Sequence, residues 1–438
     1  MSILLSLVLA GVGFVALLLG LAILYRRPVV GTGLLFLLLV LDTFSPIEGP
    51  ILFLGGRNVY PPDVVAVGFL LVGVFGLLGR NRIRSKGFVI LTGFLVLLLF
   101  GFIEGVLAFG LRDATNAART YLYFVSAVVF FAQVKDPVTN WRRIENLWFL
   151  FGLFLVIVVL IRWSLGSIGI VWNRDWESPG GGYLRVVSAA SAFLLLQFVL
   201  IALHRDSLSK SIKFLSYVAI PILLFLQHRT VWVVGLLTFL LALTMERKSK
   251  GKLVQTGLIA AIVGGILFTF FFGNELASSL QRSAESTSTL EWRIEGWQAL
   301  VDPTRFHGVA GILLGNPIGM GYARYLPGID APVSVAPHNY YIQLFSDLGL
   351  TGLLLFLSLY VLLFSSYRIR QPWKSWYPTV LPYLLFAQLV FNVTYGPSVY
   401  QGAILGMAIS FYAVRSVDKQ VLQAGAVYGN ISGSYRKS

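Results

Sequence analysis

Residues 87–110 read GFVILTGFLVLLLFGFIEGVLAFG, a long apolar run whose single charge is Glu104. Arg80, Arg82, Arg84 and Lys86 stand immediately before it. About 20 mostly apolar helical residues cover the roughly 30 Å hydrocarbon core of a bilayer, so this run is long enough to cross. One such run could also be a buried helix in a large soluble protein. Here it is one of many. Similar runs lie near 2–25, 28–45, 63–79, 119–134, 146–161, 184–203, 211–227, 230–245, 253–272, 338–364, 377–395 and 397–414. With 57% hydrophobic and 12% charged residues, the chain has too little polar surface for a soluble fold, which carries about 25% charge. The runs alternate too poorly for a membrane barrel, and helices are the other way to satisfy backbone polar groups in lipid. The expected fold is all-α: a polytopic transmembrane helical bundle of about 12–13 spans. Residues 2–25 read as a retained first helix, because Arg26 and Arg27 follow the run instead of preceding it as in an export signal.

Basic residues accumulate in cytoplasmic loops, and the net charge of +15 is explained that way. One set of alternate loops, with the C-terminal tail, holds 23 of the 34 basic residues, including all ten lysines. The opposite side holds Arg57, Arg112, Arg119, Arg162, Arg174, Arg185, Arg229, Arg282, Arg293, Arg305 and Arg324. This split puts the N-terminus outside and the C-terminus inside, and it removes any need for nucleic acid as a partner. The absence of cysteine excludes disulfides, haem attachment and thiolate metal sites. No Walker loop or dinucleotide-binding glycine pattern is present, and the histidines show no metal-ligand spacing.

The chain divides into N-terminal transmembrane helices (1–272), a large outer loop (273–337), C-terminal transmembrane helices (338–414) and a basic cytoplasmic tail (415–438). A long insertion on one face usually carries function. In this one, Leu290, Trp292, Ile294, Trp297 and Leu300 predict a short helix at the membrane surface, followed by the turn-rich Gly315, Asn316, Pro317, Gly319, Gly321 and Tyr322. A smaller outer loop, 162–183, carries Trp163, Trp172, Trp176 and three successive glycines.

The candidate chemistry lies on this outer side. His338, in Ala336-Pro337-His338-Asn339-Tyr340-Tyr341, is expected in the first turn of a helix that Pro337 opens. A neutral imidazole there can accept a proton; the alternative is an interfacial histidine bonded only to its neighbours. Asp347, nine residues on, either lines the cavity or holds a polar partner, and Glu104 raises the same choice. Arg229 opens a span after a very short connection. Arg293 shares a helix face with Trp297, and Arg162 and Arg185 flank the smaller loop. Guanidinium groups bind phosphate oxygens through paired hydrogen bonds. If several of these arginines converge, they form an anion site suited to a lipid-linked phosphate or diphosphate; otherwise they anchor helices at the headgroups.

The stretch from His338-Asn339 through Asp347 to Gly349 and Gly352 resembles the signature of the bacterial O-antigen ligases and the related O-antigen polymerases. Arg229-Thr230, Arg293 with Trp297, and Asn316-Pro317-Ile318-Gly319-Met320-Gly321 resemble further segments of that family. The likeness covers about 229–352. It implies a glycosyltransferase of the membrane C type in the bacterial inner membrane, with its active site facing the periplasm. The donor would be an undecaprenyl-diphosphate-linked glycan and the acceptor a glycan or lipid A-core. Arg229 and Arg293 would hold the diphosphate, with Arg162 and Arg185 beside them. His338 would activate the acceptor, supported by Asn339, Asp347, Trp297 and Tyr322. No cofactor and no obligatory metal are implied. The family pattern has twelve spans with both ends inside. Thirteen spans with an outer N-terminus depart from it: either the first is extra or one has been split. The compact His-Asn signature and the single dominant outer loop favour the ligase over the polymerase. A secondary transporter is the reading from another class; the chain lacks the paired halves such folds show.

Overall fold

The computed structural model describes residues 18–44, 52–54, 57–78, 85–167, 186–205, 208–245, 288–325, 331–368 and 379–414. Most of the first expected span, the span expected near 253–272, the tail, Arg185 and most of the smaller outer loop lie outside these residues. The protein is predominantly α-helical. The helices are α1 (Leu18–Arg26), α2 (Pro28–Phe44), α3 (Pro61–Leu78), α4 (Lys86–Ala132), α5 (Pro137–Ser167), α6 (Ala189–His204), α7 (Lys210–Phe225) and α8 (Arg229–Met245). They continue with α9 (Ser288–Val301), α10 (Gly308–Leu314), α11 (Tyr340–Arg368), α12 (Leu381–Phe391) and α13 (Val399–Val414). A two-stranded antiparallel hairpin, β1 (Leu52–Leu54) and β2 (Arg57–Val59), precedes α3.

Among the described residues, α3, α4, α5 and α11 are each long and apolar enough to cross a membrane. The pair α1 and α2, bent by 110° at Arg27, passes the same test together. The shorter apolar helices α6, α8, α12 and α13 complete the bundle. The protein is a multi-pass membrane protein with an all-α fold. Its large outer loop contributes α9, the short helix that the pattern from Leu290 to Leu300 predicts, and α10.

The apolar run 87–110 is the first arm of a helical hairpin. Phe94 and Phe124 both pack against Phe356, at 6.3 and 6.2 Å between ring centres. On one straight helix they would stand about 45 Å apart. The reversal falls at Gly110, whose φ of 81° and ψ of 163° suit glycine almost alone. Both ends of the hairpin return to the same face: Gly87 lies against Ile409 and Tyr412, and Ser410 donates to the Val134 carbonyl at 3.0 Å. That is the face of the lysine-bearing loops. Hydropathy alone placed a loop between 110 and 119, but helix resumes directly after Gly110. Arg112, Asp113, Asn116 and Arg119 extend the second arm beyond its apolar part. Hydropathy marks where lipid ends, whereas backbone hydrogen bonding decides where helix ends. Arg119 is held there by Asp63, with Nε at 3.2 Å, and Asp63 also accepts the Tyr123 hydroxyl at 2.6 Å.

α11 is broken as well, at Gly349, with φ 62° and ψ −168°. Gly315, φ 90°, stands opposite this break. A Cβ on Gly349 would meet the Leu313 carbonyl and the Gly315 nitrogen, and one on Gly315 would meet the Asp347–Leu348 backbone. The two chains therefore touch backbone to backbone. Asn316 completes the contact, its backbone N–H donating to the Ser346 carbonyl at 2.9 Å and its side-chain amide at 3.2 Å.

Gly349→Ala should lower the thermal unfolding midpoint in detergent. The unfavourable backbone conformation alone is worth about 1–3 kcal/mol, and the contact with Leu313 adds to it. Gly20→Ala, at a helical glycine with open space around it, should leave the midpoint unchanged or raise it. Equal behaviour of the two variants would remove this account of the break.

Candidate active site

The site forms at the end of the bundle opposite the lysine-bearing loops. Its frame is the antiparallel pair α6 and α12. Phe193 stacks on Phe391 at 4.2 Å between ring centres, while at the other end the His204 ring lies 4.6 Å from that of Tyr383. Ser188 caps α6 by accepting from the Ser191 N–H. The residues just before the cap gather three other elements. Arg162, near the end of α5, donates to the carbonyls of Val186 and Thr43. His228, which precedes α8, is buried and donates from Nε2 to the Val187 carbonyl at 2.8 Å. Arg229 follows it, exposed, as the first residue of α8.

The far end of α12 seats the start of α11. The Tyr340 N–H donates to the Asn392 carbonyl at 2.9 Å, and the Tyr341 hydroxyl to the Leu389 carbonyl at 2.6 Å. Through α6 and α12, the N-termini of α8 and α11 reach the same end of the bundle. Both are entered through a left-handed residue other than glycine: Gln227 at φ 54° and His338 at φ 49°. Such residues are uncommon and persist where their surroundings enforce them.

His338 is exposed, and it does not sit in the first turn of α11. Asn339 takes the capping position. Its Oδ1 accepts the N–H groups of Tyr341 at 3.0 Å and Ile342 at 3.2 Å. An asparagine satisfies these orphan donors well, so the helix begins after it and the histidine is left outside. On the other side, Trp297 of α9 donates its indole N–H to the Pro337 carbonyl at 2.6 Å. The residues flanking His338 are therefore both anchored.

α9 is itself held by Arg324, a nine-tenths buried residue. Its guanidinium lies 5.8 Å from the centre of the Trp292 ring and donates to the carbonyls of Tyr322 at 2.9 Å and Val335 at 2.8 Å. Burial, and then the neighbouring Arg305, lower the Arg324 pKa from its usual value. Arg305 donates to the carbonyls of Ala323 at 2.9 Å and Gly321 at 2.7 Å. Arg293 lies one turn before Trp297 on α9, half-buried, with a sequestered Nε that has no hydrogen-bond partner among the described residues.

Beneath this loop is Asp347. Its carboxylate accepts the hydroxyl of Tyr322 at 2.6 Å and that of Tyr121, from α4, at 2.8 Å. Burial, and then the Asp347 charge, push the Tyr322 phenol well above its ordinary range. Tyr322 therefore keeps its proton and donates it. This choice favours the polar partner for Asp347. Glu104 is half-buried on the first arm of α4.

The site residues named from sequence fall into three groups. Trp297, Tyr322, His338, Asn339 and Asp347 belong to one connected unit. Arg162 and Arg229 reach the same end through the Val186–Val187 segment, and Arg293 lies on α9, one turn before Trp297. Arg185 lies outside the described residues. Tyr121, Arg305 and Arg324 were not singled out from sequence. The two arginines were visible as outer-side arginines with no local pattern around them, and Tyr121 lies inside an apolar run with nothing to mark it.

Residues 214–357 match the family model for O-antigen ligase. No curated protein matches the chain. The matched segment contains Arg229, α9, α10, His338 and Asp347, while α6 and α12, which frame the site, lie outside it.

Tyr322→Phe removes the loop's hydroxyl from Asp347, which costs about 1.5–3 kcal/mol for a hydrogen bond to a charged group. The variant should show faster limited proteolysis within 321–337, with its helical circular dichroism retained. Unchanged cleavage would show that this hydrogen bond does not hold the loop.

Proposed function

Since the chain contains an O-antigen ligase family domain, a domain of glycan transfer, we propose that it moves a glycan from an undecaprenyl-diphosphate carrier to an acceptor hydroxyl on the periplasmic face. The acceptor in this reading is lipid A-core. The observation that carries it is His338: an exposed imidazole in a left-handed backbone conformation, with anchored residues on both sides. A conformation this uncommon, maintained by so many contacts, points to a functional placement.

The reaction follows from the chemistry of the donor. The acceptor oxygen attacks the anomeric carbon from the face opposite the diphosphate, so the configuration inverts. The bond from that carbon to the diphosphate oxygen breaks, and undecaprenyl diphosphate leaves with its electron pair. The acceptor proton passes to His338. Negative charge grows on the leaving diphosphate, and preorganised cations stabilise it. Arg229 and Arg293 fill that role. Arg229 also stands at the N-terminus of α8, where the helix dipole favours an anion. Arg162 supports this wall by tying Thr43 to Val186, and Arg185 contributes a further guanidinium to the diphosphate. Asn339, Trp297, Tyr322 and Asp347 position the imidazole and do not react.

His338→Ala should reduce transfer by about 10²–10⁴-fold in purified protein supplied with a defined lipid-linked glycan and a lipid A-core acceptor, with the fold and membrane insertion intact. Arg293→Ala should raise the donor KM. Full activity of the histidine variant would end its role as base, and unchanged donor kinetics would remove Arg293 from the diphosphate site. If the wild-type protein joins lipid-linked repeats to one another and ignores lipid A-core, it is a polymerase.

A further inference from the structure

The large outer loop does not lie wholly above the membrane. Ile318 donates its N–H to the Gly101 carbonyl at 3.1 Å, and a Cβ on Gly105 would collide with the Ile318 backbone. Gly101 lies fifteen residues beyond Lys86, about 22 Å up the first arm of α4. Against a core of roughly 30 Å, with Lys86 at the cytoplasmic boundary, Ile318 sits roughly 8 Å below the outer one. α10, whose Leu313 touches Gly349 inside α11, enters at a similar depth.

Two independent features fit that depth. The first is chemical: α10 reads GVAGILL, with no charge, yet Val309 is 73% exposed, Leu313 43% and Leu314 40%. Their exposure is like that of apolar residues on the adjoining spans, where Leu99 is 58% exposed and Leu350, next to the Gly349 contact, 38%. The second concerns the backbone. Past α10, the N–H of Gly315 donates to the Gly311 carbonyl, that of Asn316 to Ser346, that of Ile318 to Gly101 and that of Met320 to Pro317. Pro317 has no N–H. Irregular backbone is tolerated at membrane depth only when its polar groups are satisfied within the protein, and here these donors are.

We propose that α10 and the turn after it form a re-entrant wedge in the outer leaflet, with bilayer acyl chains covering the exposed face of Val309, Leu313 and Leu314. The wedge ends on Ser346, beside Asp347, so a lipid-embedded element abuts the carboxylate that holds Tyr322. The inference rests on the membrane fold and is independent of the glycan-transfer reading.

The chain has no cysteine, so single cysteines can be spin-labelled without background. Val309→Cys and Leu313→Cys in the full chain, reconstituted into phosphatidylethanolamine and phosphatidylglycerol vesicles, should be relaxed more by oxygen than by a water-soluble nickel chelate. They should match Leu99→Cys, an exposed position within the core on the first arm of α4, and show the reverse order of Gln298→Cys, an exposed polar position on α9. A nickel-dominated signal at Val309 would overturn the proposal, and so would shielding from both reagents, which would mean that protein covers this face. If Leu313→Cys fails to fold, Val309→Cys, at the most exposed position, decides alone.

Discussion

A carboxylate within a membrane span is costly unless something inside the protein replaces its water. Asp347 meets that requirement with two phenol hydroxyls, one from α4 and one from the outer loop. Because each tyrosine comes from a different part of the chain, satisfying one charge joins three segments. Tyr121 brings the second arm of the α4 hairpin, Tyr322 brings the loop, and Asp347 brings the first part of α11. Removing either hydroxyl leaves the charge less satisfied, so the loop position and the solvation of the aspartate depend on each other.

The neighbouring backbone makes the same junction from the other side. Gly315 and Gly349 allow two main chains to touch where any Cβ would separate them. Asn316 then donates twice to the Ser346 carbonyl. The break in α11 thus receives polar contacts from the loop, as a discontinuity at membrane depth must. Above it, Tyr322 leads into the Arg324 clamp, and Val335 and Pro337 lead to His338. This connected path from a buried charge anchors the residues on both sides of His338.

Much of the architecture was legible in the sequence, for a physical reason. Transfer of apolar side chains into lipid is strong and local, so α2, α3, α8, α11 and α13 begin and end close to where hydropathy places them. The His-Asn signature, the spaced glycines and Asp347 were legible as a pattern, but their work was not. Gly315 and Gly349 matter through an approach between residues far apart in the chain, which no local window contains. Tyr121 pairs with Asp347 across 226 positions and reads as one more aromatic in an apolar run. The placement of His338 differs from expectation because the helix begins at Tyr340, three residues after Pro337: Pro337 and Asn339 compete to open it. The asparagine prevails by satisfying two backbone donors, where proline merely tolerates the lack of one.

The outer arginines show how geometry sorts residues that composition makes equal. Arg119 is matched to Asp63, Arg162 ties two carbonyls, and Arg305 and Arg324 brace the loop by donating to four more. A guanidinium engaged in this way orders backbone and is poorly placed to follow a charge that develops during a reaction. Arg229 opens the exposed N-terminus of α8, and Arg293 lies a turn before the tryptophan that anchors Pro337. Arginine thus orders backbone at several points of this end of the bundle. Bracing arginines hold the backbone at this end rigid, and in the proposed reaction a cation beside that backbone would need little reorganisation as charge forms, which is what an electrostatic contribution to a transition state depends on.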